Sequence, residues 1–299
     1  MTLVSIGVPV FNGEDFLAEA LDSILDQDVD DIEIIISDNA STDRTQQICE
    51  AYQARDARIR YDRLPHNLGA AANYNRVFEM AEGTYFKWAA HDDLIAPTFL
   101  SSCIAAFERA PETTALVHPP AEFIDEHGEP LRVHGDRAHT TARHPAVRAL
   151  QIVTQLNLIA SVFGLFRRDA LMRTRRIGSF VASDYVLLVE CALLGDIVYL
   201  DGAPLFQRRV HDKMSRRANV SDADALRWFD PQMSSRLTAR QRLYIEYVRS
   251  AMTVGDLKPT QRAASAALLV GGVAYRRGRV RLGRWRRDLA VVVSSAKKR

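Results

Sequence analysis

The feature that most constrains this chain is an alternation, within its first hundred residues, of continuous apolar runs and helix-period segments. Leu3 to Val10 (LVSIGVPV) and Ile32 to Ser37 (IEIIIS) are apolar almost throughout. A strand covered on both faces has that pattern, whereas a half-solvated strand alternates. Between them Leu17, Ala20, Leu21, Ile24 and Leu25 fall on one helical face. Ser41 or Thr42 is expected to cap a second helix carrying Ile48, Ala51 and Tyr52. Arg58 to Tyr61 and Tyr85 to Ala90 (YFKWAA) read as further strands. A helix from about Gly69 presents Tyr74, Val77, Phe78 and Ala81, and another begins near Pro97 with Phe99, Leu100, Cys103, Ile104 and Phe107 on one side. This order predicts an α/β fold, a mostly parallel sheet with helices on both faces.

After Pro111 the pattern loosens. Ala115 to Ile124 reads as one strand, residues 126–129 (EHGE) as a turn, and His134 to Pro145 as a mobile polar loop. Five of the eight histidines fall between His118 and His144, at spacings that fit no single helix or strand face. Ile159 to Phe166 and Ile197 to Leu200 read as strands around a helix from Asp184 to Leu194, and from about Asp222 the chain reads as helical. At 299 residues there is room for one large domain and an appendage, divided here as 1–220 and 221–299.

Net charge is only +2, but residues 276–299 hold ten Lys/Arg against the single acid Asp288. No global attraction to nucleic acid follows, and no nucleic-acid motif accompanies the basic tail. Cys49, Cys103 and Cys191 lie far apart, without the spacing of a zinc site, and are expected to be buried free thiols. The N-terminus opens directly on a strand-like run without a basic and apolar leader, so a cytoplasmic location is expected.

Two polar clusters follow strand ends: Asp38-Asn39 after IEIIIS, and Asp92-Asp93 after YFKWAA. In open α/β sheets, ligands bind beyond the carboxyl ends of the strands. Adjacent carboxylates repel unless a cation or a donor stabilises them, and one or two carboxylates completed by substrate phosphates suit Mg²⁺ or Mn²⁺. The competing reading places Asp92 and Asp93 at a helix N-terminus, where acidic groups are also favourable.

The succession VSIGVPVFNGEDFLAEALDSILDQ, IEIIISDNASTD, NLGAAANYN and AEGTYFKWAAHDD resembles the family 2 glycosyltransferases of the GT-A fold over roughly residues 3–215. The resemblance implies an inverting, metal-dependent transfer of a sugar from a nucleotide diphosphate, UDP- or dTDP-linked, to a hydroxyl of a carbohydrate or lipid-linked acceptor in cell-envelope glycoconjugate synthesis. It implies Asp93 as metal ligand, Asp92 as a contact to ribose or metal-bound water, and Asp38 and Asn39 as the nucleobase pair. Asn39 stands where a second Asp is commoner. Pro9 and Phe11 would line the nucleotide pocket, although Phe11 fits plain core packing equally well. Asp184, at the start of its helix, takes the place of the general base; a capping role for Asp184 or Ser183 competes with it or accompanies it. His211, with Ser215 downstream, would complete the metal shell or touch the diphosphate, against the competing reading of a structural hydrogen-bonder, and Arg208, Arg209 and Arg216 are either phosphate partners or solvated surface.

Two rivals stand beside this reading. A nucleotidyltransferase would need a Gly-rich basic loop after the first strand, where this chain has the acidic FNGED. A non-catalytic module would not need Asp92, Asp93 and Asp184 together. In the tail, Val280, Leu282, Trp285, Leu289 and Val292 fall largely on one helical side among arginines. That pattern is expected either to touch an anionic membrane or to pack on the catalytic domain.

Overall fold

The structure, a computed structural model, describes residues 2–155, 160–214, 221–233, 237–255 and 257–275. Its main sheet contains β1 (Val4–Val10), β2 (Ile32–Asp38), β3 (Ile59–Arg63), β4 (Tyr85–Trp88), β6 (Leu116–His118), β9 (Leu165–Arg167) and β10 (Ile197–Tyr199), in the order β10-β6-β9-β4-β1-β2-β3. β1 pairs in parallel with β2 and β4, and β2 with β3, while β9 runs antiparallel to β4 and β6. A second sheet orders β5 (Leu94–Ile95), β11 (Phe206–Arg209), β7 (Ala121–Ile124) and β8 (Pro130–Val133). The mixed, mostly parallel sheet flanked by helices is the architecture expected from the β/α alternation.

The uninterrupted apolar strands explain the two cores. Val4, Ile6, Val8 and Val10 face α1 (Leu17–Leu25), α2 (Thr45–Arg55) and α4 (Phe99–Arg109). Ile35, Phe86 and Trp88 face the other way, toward α3 (Ala70–Glu79), α5 (Pro145–Gln155) and α7 (Ser183–Leu194). Gly7 permits the close approach of α3, because a Cβ there would lie 2.6 Å from Val77 Cγ2. α7 is buried on nearly all sides rather than on the one face expected, since α5 and the C-terminal helix α9 (Ala239–Thr253) both pack on it. Between α7 and α9 lie α8 (Asp222–Phe229) and, beyond them, the helical residues 259–275; α6 is the short Arg168–Met172. Tyr247, Ala251 and Leu269 of the C-terminal part belong to the same core as Trp88. All three cysteines are free and buried.

Several local expectations are corrected. Ala115 to Ile124 is not one strand, because Pro119 and Pro120 break it into β6 and β7, which join different sheets. The stretch before β9 is a 3-10 turn at Ser161–Phe163, and β8 and α5 lacked a clear sequence signal. Neither Ser41 nor Thr42 caps α2. Ser41 Oγ instead accepts the Asn12 N–H at 2.9 Å, and Thr42 N–H goes to Asn12 Oδ1 at 2.9 Å, so these residues stitch the loop after β1 to the loop after β2.

The His134–Pro145 segment is not a loose loop. His134, Asp136, Ala138 and Thr140 are buried, and Thr140 bridges to Ile197. Asp136 Oδ2 accepts the N–H groups of Ala160 and Ser161 at 2.7 and 2.8 Å, and Oδ1 that of Ala138 at 3.2 Å. Asp136→Ala would leave these buried donors unpaired and is expected to destabilise the protein by about 2 kcal/mol or more. Urea unfolding measures this; an unchanged midpoint would show that water replaces the carboxylate without loss. The tail at 276–299, with the membrane-binding expectation, lies outside the described residues, as do Ser215 and Arg216. Among the described residues, no helix is long and apolar enough to cross a membrane.

Candidate active site

The carboxyl ends of β1, β2 and β4 open into a cleft of about 390 Å³. Pro9 lines it from β1 and Phe11 from just past its end, Asn39 from just past β2, His91 to Asp93 from the loop after β4, and Arg208, Arg209 and His211 from β11 and its end. Phe11 is not core packing: it is 41% exposed and faces the cleft. Three of the non-glycine residues with positive φ border these loops: Asn12 (53°), Ala40 (62°) and Ala182 (65°), the last just before Asp184. Backbone strain gathers at such sites only where packing holds it.

Asp92 and Asp93 do not serve a helix N-terminus, because β5 follows them and α4 begins only at Phe99. Asp92 Oδ2 pairs with His211 Nε2 at 2.9 Å, and the His211 ring packs on Phe16 with centroids 4.7 Å apart. Asp93 Oδ1 accepts the Arg209 N–H at 2.9 Å, and its other oxygen takes no hydrogen bond from the described residues. Burial pushes the Asp92 carboxyl up, but His91 and His211 more than offset it, so it lies below the ordinary range. Burial and the neighbouring Asp92 charge hold Asp93 above that range, against the opposing pull of Arg208. The pair is one carboxylate satisfied by protein and one short of positive charge.

Arg209 is not a solvated arginine, nor is its guanidinium free for phosphate. Its buried Nε donates to Asp92 O at 3.0 Å, Nη1 to Glu126 O at 2.9 Å, and Nη2 to Glu19 Oε2 at 2.6 Å. It ties the acidic loop to α1 and to the β7–β8 turn. Arg208 lines the cleft and acts electrostatically on Asp93, Asp184 and Tyr74.

Asp38 and Asn39 are already engaged. The buried Asp38 takes Ser41 N–H on Oδ1 at 2.8 Å, and Tyr61 Oη and Arg63 Nε on Oδ2 at 2.9 and 3.2 Å. Asn39 Oδ1 accepts Leu68 N–H at 2.8 Å, and its Nδ2 donates to Asn67 Oδ1 at 2.9 Å. Asn39 lines the cleft and Asp38 does not.

Asp184 is not among the residues that line the cleft; it lies in the first turn of α7, within electrostatic reach of the lining residues Tyr74 and Arg208. The helix takes Ala182, not Ser183 or Asp184, as its N-cap, while Asp184 Oδ1 accepts Tyr185 N–H at 3.0 Å. Burial raises its pKa above that of an ordinary carboxylate, with Arg208 opposing. Glu190, further along α7, is structural: it is fully buried and paired with Arg175 at 2.6 Å.

Sequence reasoning missed Tyr74 in the cleft and, outside its lining, the buried Lys87. Tyr74, read as core, lines the cleft; burial raises its pKa, and Asp92, Asp93 and Asp184 add to the effect, so its hydroxyl stays protonated among three acids. Lys87, hidden in the YFKWAA strand, is completely buried. Its Nζ donates to Phe163 O and lies 4.2 Å above the Phe99 ring, and burial pushes its pKa down to about 7, with Asp93 opposing. A lysine inside an apolar strand is the signal that could have marked it.

A mostly parallel α/β sheet with an acidic motif just past the carboxyl end of β4 is the architecture of the GT-A class of sugar-transfer fold. The glycosyl transferase family 2 model matches residues 5–175, and the chain belongs to that family of glycosyltransferases. This removes the nucleotidyltransferase reading. An uncharacterized glycosyltransferase of Rickettsia typhi is 27% identical over 250 residues, 82% of this chain and 75% of its own length. A teichuronic acid biosynthesis glycosyltransferase of Bacillus subtilis (so described as putative) is 38% identical over 91 residues, 30% of this chain and 36% of its own. This chain thus spans only about a third of the latter's length. Among solved structures, Staphylococcus aureus TarS with UDP-GlcNAc superposes with a TM-score of 0.64 at 17% identity, covering 91% of this chain and 72% of that one. The Pyrobaculum calidifontis mannosyltransferase with GDP-Man and Mn²⁺ gives 0.56 at 16%, covering 91% and 73%. At these identities the likeness is one of fold.

Proposed function

We propose that this glycosyltransferase moves a sugar from a nucleotide diphosphate carrier to an acceptor hydroxyl by single displacement, with Asp93 as the cation-binding carboxylate and Asp184 as the base. The observation that carries the reading is the convergence of Asp92, Asp93, His211 and Arg208 on one cleft, whose lining residues Arg208 and Tyr74 are within electrostatic reach of Asp184. The nucleotide-sugar complexes of the two similar folds support a donor of this chemistry.

The residues fit Mn²⁺ or Mg²⁺. Among the described residues, no three His, Cys, Asp or Glu side chains gather to enclose a metal. A site of one or two carboxylates that the donor's phosphates complete is the usual arrangement for these ions. Asp93 would hold the ion, and Asp92, oriented by His211, would contact it through water or reach the ribose. A bound divalent cation supplies charge stabilisation for the departing diphosphate. The protein's own part is electrostatic and positional: Arg208 faces the developing phosphate charge, and Arg209 fixes the loop that carries both acids. Asp184 takes the acceptor proton as the new bond forms. Pro9, Phe11 and Asn39 border the nucleoside end.

The acceptor reading is a carbohydrate or lipid-linked hydroxyl in envelope polysaccharide synthesis, at the cytoplasmic membrane face, with residues 276–299 as the peripheral anchor. The test is release of nucleoside diphosphate from UDP-, dTDP- and GDP-sugars with and without Mn²⁺. Metal-stimulated release from one of them supports the reading, and the absence of both release and nucleotide binding overturns it. His211→Ala should weaken nucleotide binding in Mn²⁺ more than in its absence, because Asp92 loses its orienting partner. Equal losses by calorimetry in the two conditions would assign His211 to structure alone.

A further inference from the structure

The residues expected to read the nucleobase are already occupied: Asp38 holds Ser41, Tyr61 and Arg63, and Asn39 holds Leu68 and Asn67. Asn39 retains only one N–H and one lone pair for a ligand. Affinity for a base at this end therefore calls for another source. Among the exposed large apolar side chains of the described residues, only Phe11 and Trp228 line the cleft, 41% and 37% exposed. Both are aromatic. Phe11 directly follows β1, but Trp228 comes from α8, beyond the segment that matches the family.

The way α8 is seated locates Trp228. Its last residue, Phe229, packs on the core, and Trp228 is braced edge-on against that ring with centroids 4.8 Å apart. The chain then presses on Gly69, whose φ is +88°; a Cβ there would lie 2.4 Å from Phe229 O and 2.8 Å from Pro231 Cδ. The Gly69 N–H donates to Asn67 Oδ1 at 2.8 Å, the oxygen that also receives Asn39 Nδ2. α8 thus rests on the same loop that occupies Asn39. A capping box at Ser221 and Asp224 fixes the start of the helix.

We propose that Trp228 is an aromatic wall of the donor site, stacking on the nucleobase opposite the β1 side of the cleft, so that the C-terminal extension completes nucleotide binding. This rests on the reading of the cleft as a nucleotide diphosphate site. Stacking is tolerant of base identity because every base has a π face. Trp228 therefore provides affinity, and the choice among bases falls to the remaining polar positions.

The test is calorimetric titration of the full chain with UDP, GDP and inorganic pyrophosphate in Mn²⁺, for the parent, Trp228→Ala and Trp228→Phe. Trp228→Ala should weaken nucleotide binding about tenfold or more, within the range for loss of base stacking, and leave pyrophosphate binding unchanged. Trp228→Phe should keep most of the affinity. In a Trp285→Phe background, where the other tryptophan, Trp88, is fully buried, UDP should quench the fluorescence of Trp228, and Trp228→Phe should abolish that quench. A Trp228→Ala protein with parental unfolding temperature and parental UDP affinity overturns the inference while leaving the donor site intact. So does unchanged UDP affinity with a raised acceptor KM, which would make Trp228 an acceptor platform. Equal losses for pyrophosphate and UDP would point to general collapse of the site and also overturn it. If the parent binds no nucleotide diphosphate, the functional reading itself fails.

Discussion

Asp93→Ala is expected to abolish transfer and the Mn²⁺-dependent part of nucleotide binding together. Loss of the cation that Asp93 would hold should remove about 3–4 kcal/mol or more of the charge stabilisation it would supply to the departing diphosphate, on the order of 10²–10³-fold in rate. The geometry offers a control. Asp93 Oδ1 also accepts the Arg209 N–H, so the alanine variant leaves a buried donor unpaired, at a cost of about 1–3 kcal/mol in stability. Asp93→Asn keeps an acceptor oxygen and should restore that stability without restoring transfer. Calorimetry with and without Mn²⁺, alongside thermal unfolding, separates the two effects. Parental metal dependence in either variant would remove Asp93 from the metal site.

Asp184→Asn should retain the fold and donor binding but lower kcat by about 10²–10⁴-fold, the usual contribution of a positioned general base. An amide can still accept the Tyr185 N–H that Asp184 now holds, so a merely capping role predicts near-parental turnover. The pH profile gives a second readout. Burial raises the folded-state pKa of Asp184 above the ordinary carboxylate range, and a base works only when deprotonated. Activity should therefore fall on the acid side through a pKa above that of an ordinary carboxylate, and the limb should vanish in the asparagine variant. The same shift means that ionised Asp184 costs stability, a cost present above the raised folded pKa and relieved as pH falls through it. The product should carry an inverted anomeric centre; retention by NMR would exclude single displacement.

What could be read from the chain followed how local each feature is. β1, β2 and the helices between them follow from patterns spanning fewer than about twenty residues, where apolar periodicity is decisive. The acidic pairs were legible because a motif after a buried strand must emerge at one edge of the sheet. The break at Pro119-Pro120 was legible in principle, since two prolines end ladder pairing, but the apolar run on either side obscured it. β8 is exposed throughout and α5 followed a His-rich stretch, so neither offered a clear periodic signal.

The roles of individual polar side chains were decided by tertiary structure. Asp38 and Arg209 look like ligand-binding residues in sequence, yet their hydrogen bonds go to Tyr61 and Arg63, and to Glu19 and Glu126, partners 23 to 190 positions away. Tyr74 looks like core and Trp228 carries no signal in the sequence, yet both line the cleft. Burial patterns are short-range and periodic, so the sequence by itself determined the layers of this fold, its family and the positions of its acids. Hydrogen-bond valences are filled by whichever groups the packed chain brings within about 3 Å, so only the tertiary structure decided which of those polar groups remain open to a ligand.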